Sequence, residues 1–434
     1  MSWTSFFRQS VKRLFATYSP RAPRGRTRSS CRPYVEQLET RELLSATMDI
    51  GMNLERVSDN SVAWVFKDAF QSSRPWTSYG YNTATGALTL GGGGPVTVDP
   101  QGWPTTLNQI TNSLGQLVQQ RLTTQMFDGI AGNYASGVYR AEWDGSGTLV
   151  WGGDATVIEQ GNSAGRYYAL LNVVAGSNGI TLSLNAMSST DPVRNIDVWM
   201  PDYNGQSFAG QQWTPGAAFS PFHPLFVERL EPFDTIRFMD MQLTNSSDIV
   251  TWADRRAVDA ATQMSNRSGF QSGIAPEYMV ELANEVQANA WFNMPYLADD
   301  DFVRNFATLV RDSLDPGLKV YVEWSNEVYN YAPGFETYPW VTEQLASPEN
   351  AGVDRWTFVA NQIRQDFAIW TDVFAGATDR LVRVVAGWEA DSTVVDQILQ
   401  QMDGDFDAIS PSAYVQLSNA QRATLSAKIG RAHV

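Results

Sequence analysis

The sequence predicts an α/β fold: a (β/α)8 TIM barrel truncated after about six strands, with a small β-rich domain inserted behind its first strand. Three observations carry that reading. After Pro224, short runs of β-branched and aromatic residues alternate with stretches of helical apolar periodicity, the pattern of strand–helix–strand units. Residues 83–217 break the alternation, because Gly, Thr, Ser and Asn rise and short strand signals crowd together. The stretch Lys319-Val320-Tyr321-Val322-Glu323-Trp324-Ser325-Asn326-Glu327 reads as one buried strand. It starts after the turn signal Asp315-Pro316-Gly317 and opens onto a polar tip.

The elements follow in chain order. Residues 1–46 read as a disordered basic arm, with Arg21, Arg24, Arg26, Arg28 and Arg32 scattered among Ser, Pro and Gly. Residues 47–82 supply the first strand, where Met48, Ile50, Met52, Leu54 and Val57 stand out, and a helical face at Trp64, Val65, Phe66 and Phe70. Within the insert of 83–217, Asp144-Gly145-Ser146-Gly147 between two apolar runs is a hairpin signal, and a helix is expected near 107–122. Residues 218–428 hold strands two to six at 233–241, 290–294, 319–326, 381–386 and 406–414, with helices at 277–286, 301–314, 356–374 and 394–402. Asp299-Asp300-Asp301 is expected to cap a helix rather than hold a cation.

Composition narrows the chemistry. The 434 residues are 43% hydrophobic and 12% aromatic, enough for a large globular core with an appendage. Residues 1–46 carry nine Lys/Arg against three Asp/Glu, a surplus of +6, so the rest carries −21 of the net −15. An acidic body repels nucleic acid and anionic membrane, and no apolar run reaches the length of a membrane span. One cysteine, Cys31, and two histidines, His223 and His433, leave a disulfide framework, a Ser-His-Asp triad or a His-rich metal site poorly supplied, so no cofactor is expected. His223 is expected to be structural. Carboxylates are the abundant catalytic groups, and fifteen Trp allow stacking on sugars, though most are expected in the core.

Two short stretches bear on processing. Val35-Glu36-Gln37-Leu38-Glu39-Thr40-Arg41-Glu42-Leu43-Leu44-Ser45 resembles the LEPR-XLL-type motif of large exported bacterial proteins, which implies export or surface display; a short amphipathic helix fits the same residues. Ile429-Gly430-Arg431-Ala432-His433-Val434 resembles the translation of a sequencing-adapter read. That implies an artefact at 429–434, a non-biological His433 and a gene fragment lacking its last strands.

The runs Ile236-Arg237-Phe238-Met239-Asp240, Trp252-Ala253-Asp254-Arg255, Glu277-Tyr278-Met279, Trp291-Phe292-Asn293-Met294-Pro295 and Tyr321 to Glu327 resemble bacterial cellulase-like proteins of glycoside hydrolase clan A, often described as cellulose-binding. Gly51-Met52-Asn53-Leu54 and Ser73-Arg74-Pro75-Trp76 share the resemblance, which covers most of 48–415. It implies a polysaccharide substrate and a fourth strand closed by an Asn-Glu pair whose Glu is the acid/base. That role lands on Glu327, with Asn326 hydrogen-bonding the sugar. The clan's nucleophile, at the end of a seventh strand, would be missing.

Other candidates surround this pair. Trp76, Trp324 and Trp388 are expected as stacking or wall residues, Asp240 as a substrate contact or a core hydrogen-bonding group, and Tyr414 as a group that orients the nucleophile. Glu323 is expected to pair with Arg237 below the site; Arg237 alternatively supports the nucleophile. Glu389 is the one rival nucleophile, although its strand number is wrong for the clan. Two functions remain open: a retaining glycosidase that cleaves β-glycosidic bonds, and a carbohydrate-binding surface protein that does not hydrolyse.

Overall fold

A computed structural model describes residues 50–202, 208–210, 213–267 and 269–412. The basic arm with its LEPR-XLL-like stretch, Tyr414 and the 429–434 stretch lie outside the described residues. One layer is a parallel sheet of six strands: β1 (Gly51–Asn53), β2 (Thr235–Arg237), β3 (Asn289–Met294), β4 (Val320–Trp324), β5 (Leu381–Gly387) and β6 (Ala408–Pro411). Each strand pairs with the next in chain order, all parallel.

The helices are α1 (Pro224–Leu230), α2 (Pro276–Val286), α3 (Asp300–Ser313), α4 (Thr337–Ala346), α5 (Arg355–Val373) and α6 (Ser392–Met402). Their starts follow capping chemistry. Pro276 opens α2, Asp299 accepts from the Phe302 N–H before α3, and Asp354 caps α5. His223 caps α1 through the Leu225 N–H at 3.2 Å, and its burial, with Lys67 nearby, pushes its pKa down to about 4. The apolar faces of these helices cover one face of the sheet and merge with Phe292, Val320, Val322 and Val385 in a single core.

The barrel expectation is overturned. The six strands fall where periodicity placed them, but the sheet is open: among the described residues β1 and β6 are its two edges and do not pair. Alternation of strands and helices specifies parallel neighbours with helices packed alongside, whereas closure depends on strand number, tilt and stagger, which periodicity does not encode.

The second layer is antiparallel. One sheet runs Leu88–Leu90, Thr77–Asn82, Leu117–Met126, Ile180–Met187, Gly147–Gly153, with Gln109–Thr111 added to Leu117–Met126. The other runs Arg194–Trp199, Gly137–Asp144, Arg166–Val173, Ala155–Ser163. They enclose a separate core that includes Leu122, Tyr139, Leu171, Leu182 and Trp199.

Two local expectations fail here. Gly137–Asp144 and Gly147–Gly153 do not pair with each other but belong to different sheets. Gly145 sits at φ 80°, and a Cβ there would lie 2.1 Å from the Pro192 carbonyl oxygen, so the turn is a corner packed under another loop. The expected helix near 107–122 is strand, because Leu117–Met126 buries every second residue. Its inward set contains Gln120, whose amide donates to Ser78 Oγ, Gly94 O and Pro95 O, so period-two burial is masked by a polar residue.

Within α5, Asp366 is buried with its Oδ2 unpartnered, and burial, with Asp300 adding repulsion, holds its carboxyl well above the usual range. The folded state therefore keeps a proton that the unfolded chain loses near about pH 4, and stability falls as pH rises beyond that. Asp366→Asn should raise the thermal midpoint at pH 7, with the gain shrinking toward pH 4. A variant less stable than the parent at pH 7 would show the carboxylate to be accommodated as an anion.

Candidate active-site cleft at the strand ends

Five of the six strands contribute to a cleft of about 320 Å³ at the C-terminal edge of the parallel sheet, where open α/β sheets place their ligands. Asn53 reaches it from β1, Arg237 from β2, Glu323 from β4 with Asn326 and Glu327 just beyond, Ala386 from β5, and Ser412 from the end of β6. Alternation along the strands decides which side chains arrive. Ile236, Phe292, Val322 and Trp324 enter the helix-covered core, which leaves Arg237, Trp291, Asn293, Tyr321 and Glu323 for the opposite face. The register sets Arg237 beside Trp291 and Asn293 beside Glu323.

Glu323 is the centre of this face. It is 1% exposed, and its Oε2 accepts from Arg237 Nη2 at 2.7 Å, Asn293 Nδ2 at 2.9 Å and Trp291 Nε1 at 3.1 Å. The ion pair expected between Arg237 and Glu323 thus forms, and the guanidinium also lies 4.9 Å from the centre of the Trp291 ring. The same Nη2 donates to Asn326 Oδ1 at 2.9 Å, while Asn326 Nδ2 donates to Asn245 Oδ1 at 2.9 Å. Asn326 is therefore held at both ends of its amide.

The tip is strained. Ser325 and Glu327 adopt φ of 55° and 41°, a region that residues with a Cβ rarely occupy. The corner is fixed around Ser325: its N–H donates to Met294 O at 2.8 Å, its carbonyl accepts from Asn293 Nδ2 at 2.7 Å, and its hydroxyl lies 2.5 Å from that of Thr337. Glu327 is 8% exposed, lines the cleft, and accepts from Asn330 Nδ2 at 2.7 Å.

The remaining expected residues separate. Asp240 accepts from Asn53 Nδ2 at 2.7 Å, which ties it to the rim. Trp388 stacks on Tyr329 at 5.0 Å and 5°, and the Tyr329 hydroxyl donates to the cleft residue Ser412, so Trp388 backs the wall through Tyr329. Burial, opposed by the Ser412 hydrogen bond, pushes the Tyr329 phenol up to about 12. Trp324 packs in the core near Trp340, away from the cleft. Trp76 lines a different cavity, of about 620 Å³, beside Phe70 and Val96. Glu389 is exposed beyond β5 and does not line the cleft.

Sequence reasoning missed Asn293, Trp291, Asn245, Asn330 and Tyr329. Trp291 and Asn293 had a signal, since they alternate with Ala290, Phe292 and Met294 and so mark a polar face on a buried strand. Asn245 and Asn330 lie in loops, where one more Asn carries no information. Among the described residues no group of three or more His, Cys, Asp or Glu is placed to hold a metal ion, and no helix is long and apolar enough to cross a membrane.

No family model and no curated protein matches this chain. One solved structure, that of an exo-beta-agarase, aligns with 77% of this chain and 85% of its own at 8% identity and a TM-score of 0.22, too low to carry an argument.

Removing the Glu323 charge should leave a guanidinium partly buried without its partner. Glu323→Gln is expected to cost about 3 kcal/mol of unfolding free energy by denaturant titration, the lower end for a broken buried pair. A loss below about 0.5 kcal/mol would place the pair with solvent-screened surface bridges instead.

Proposed function

We propose that the strand-end cleft acts on carbohydrate, cleaving a β-glycosidic bond of a polysaccharide with Glu327 as general acid/base. The observation that carries this reading is the placement of Glu327: a nearly buried carboxylate in the cleft, on a strained corner braced by Asn293 and Thr337, beside an Asn326 amide fixed by Arg237. Protein rarely holds a carboxylate in that conformation for packing alone.

In the proposed reaction the Glu327 carboxyl gives its proton to the glycosidic oxygen as the bond to the anomeric carbon breaks and a second carboxylate bonds to that carbon, and the leaving sugar departs as an alcohol. Water then displaces the second carboxylate, and the Glu327 carboxylate takes a proton from that attacking water. Asn326 uses one amide hydrogen on Asn245 and has a second to offer a sugar hydroxyl. Asp240 and Asn53, bonded to each other at the rim, supply further polar contacts. The LEPR-XLL-like stretch supports export toward such a polymer.

A non-catalytic carbohydrate-binding role is the second reading, and one observation favours it. Glu323, the other cleft carboxylate among the described residues, is engaged by Arg237, Trp291 and Asn293 rather than presented as a nucleophile. A retaining mechanism needs a second carboxylate roughly 5 Å from the first.

Reducing-end release from soluble β-glucan and xylan tests both. Glu327→Gln should lower turnover by about 10²–10⁴-fold with the melting temperature preserved. An unchanged rate removes Glu327 from the chemistry. Binding by the parent protein without any release of reducing ends would establish the binding role.

A further inference from the structure

A second cleft, independent of the strand-end site, lies against the antiparallel layer. It has a deep part of about 390 Å³ and an open part of about 680 Å³, and the two share Trp103, Asp144, Asn195 and Asp259, so they form one continuous groove. Aromatic rings wall the groove. Trp213 packs on Tyr278 with ring centres 4.5 Å apart, Trp103 stacks on Phe70 at 5.6 Å, and Tyr167 in the open part lies over Trp143 at 5.9 Å.

The deep part is lined by residues that carry unmatched polar atoms. Trp199 Nε1 and Trp213 Nε1 are donors and Gln71 Oε1 is an acceptor; all three are buried and have no hydrogen-bond partner, while the Gln71 side chain also bonds to the Asp68 carboxyl. Buried polar groups are normally paired, and each orphan costs about 1–3 kcal/mol. Asp68 is 5% exposed and spends Oδ1 on the N–H groups of Phe70 and Val198, at 3.0 Å and 2.6 Å. Burial, then the nearby Asp197, holds its carboxyl well above the usual range, so it favours the neutral form. Asp197 and Asp144 are matched by Arg166, at 2.9 Å and 3.0 Å.

The lining therefore offers donors and acceptors together, aromatic faces, a neutral carboxyl at Asp68, and two carboxylates, Asp144 and Asp197, already paired with Arg166. At the deep end the unmatched indole N–H groups call for an acceptor, which a cation does not supply, and a polyanion meets Asp259 in both parts and Asp191 along the open part. A ligand with hydroxyls that both donate and accept, and with apolar ring faces that stack on indole, satisfies all of these conditions. We infer that this groove binds a neutral oligosaccharide strand, with one sugar ring at the deep end between Trp213 and Trp199 and the chain continuing past Trp103 toward Tyr167.

Tryptophan fluorescence titrations of the full chain carrying Glu327→Gln, with cellohexaose, xylohexaose and chitosan hexamer, test the inference without interference from turnover. Saturable binding of a neutral hexasaccharide is expected, weakened at least about tenfold by Gln71→Leu and by Trp213→Phe, which removes the indole N–H but keeps a ring. Far-UV circular dichroism checks each fold, and either variant suffices if the other fails to fold. Three results overturn the inference: no binding of any neutral hexasaccharide, binding unchanged in the folded variants, or binding of the chitosan hexamer alone. Activity lost in Glu327→Gln with binding retained keeps the two clefts distinct, whichever of the two readings fails.

Discussion

The strand-end cleft depends on one buried anion. Carrying a carboxylate into the sheet costs several kcal/mol unless its lone pairs are met, and Glu323 meets them with donors from the adjacent strand and the one beyond it, Trp291 and Asn293 on β3 and Arg237 on β2. A slip of β4 by one residue would turn Glu323 into the helix-packed core and Val322 onto the polar face, losing all three bonds and stranding the guanidinium. The anion thus sets the register of three strands at once. Through Arg237 and Asn293 it also fixes the amide of Asn326 and the carbonyl of Ser325, the two groups that place Glu327.

What the sequence made legible follows from which signals are local. The six parallel strands and four of the six helices are written in apolar periodicity, with the Asp299-Asp300-Asp301 cap beside them, so these are found where expected, whereas Pro224–Leu230 and Thr337–Ala346 were not expected. Glu327 and the Arg237–Glu323 pair were reachable because an Asn-Glu tip after a buried strand is conspicuous. Closure was not legible, because two open edges and a closed ring share the same alternation. Nor was the partner of Gly137–Asp144. A Gly-rich turn between apolar runs suits a hairpin and a sheet-to-sheet corner equally, and only the Pro192 carbonyl pressed against Gly145 decides for the corner. Trp324 was misplaced for a related reason: as β4's last residue it alternates with Glu323, so the two cannot face the same side.

The two layers meet along residues 66–68. Phe66 bridges to Phe222 on the side of the parallel sheet, and Asp68 bridges to Trp199 in the antiparallel layer. Asp68 sits at this seam because its Oδ1 can cap the turn at Ala69–Ser72 and hold the Val198 N–H together, which no apolar residue can do. The cost is a carboxyl whose burial, next to a second acid, holds it in its neutral form. Stability alone would be served by an Asn there, which accepts the same bonds and has no proton to lose as pH rises.

The same reasoning separates Glu327 from its neighbours. Ser325 and Glu327 in left-handed conformations cost on the order of 1–3 kcal/mol each, and Gly or Asn would relieve much of that. Ser325 at least recovers bonds to Met294, Asn293 and Thr337 from its corner. Glu327 gains a hydrogen bond from Asn330 and the Asn330 N–H to its carbonyl at 2.7 Å, and its conformation carries its carboxylate into the cleft rather than out to solvent. A side chain that accepts strain and near-complete burial in order to keep a carboxylate at the mouth of a polar cleft is placed for reach. The framework beneath it, from the Glu323 anion through Arg237 to Asn326, is rigid enough to hold that position against the strain.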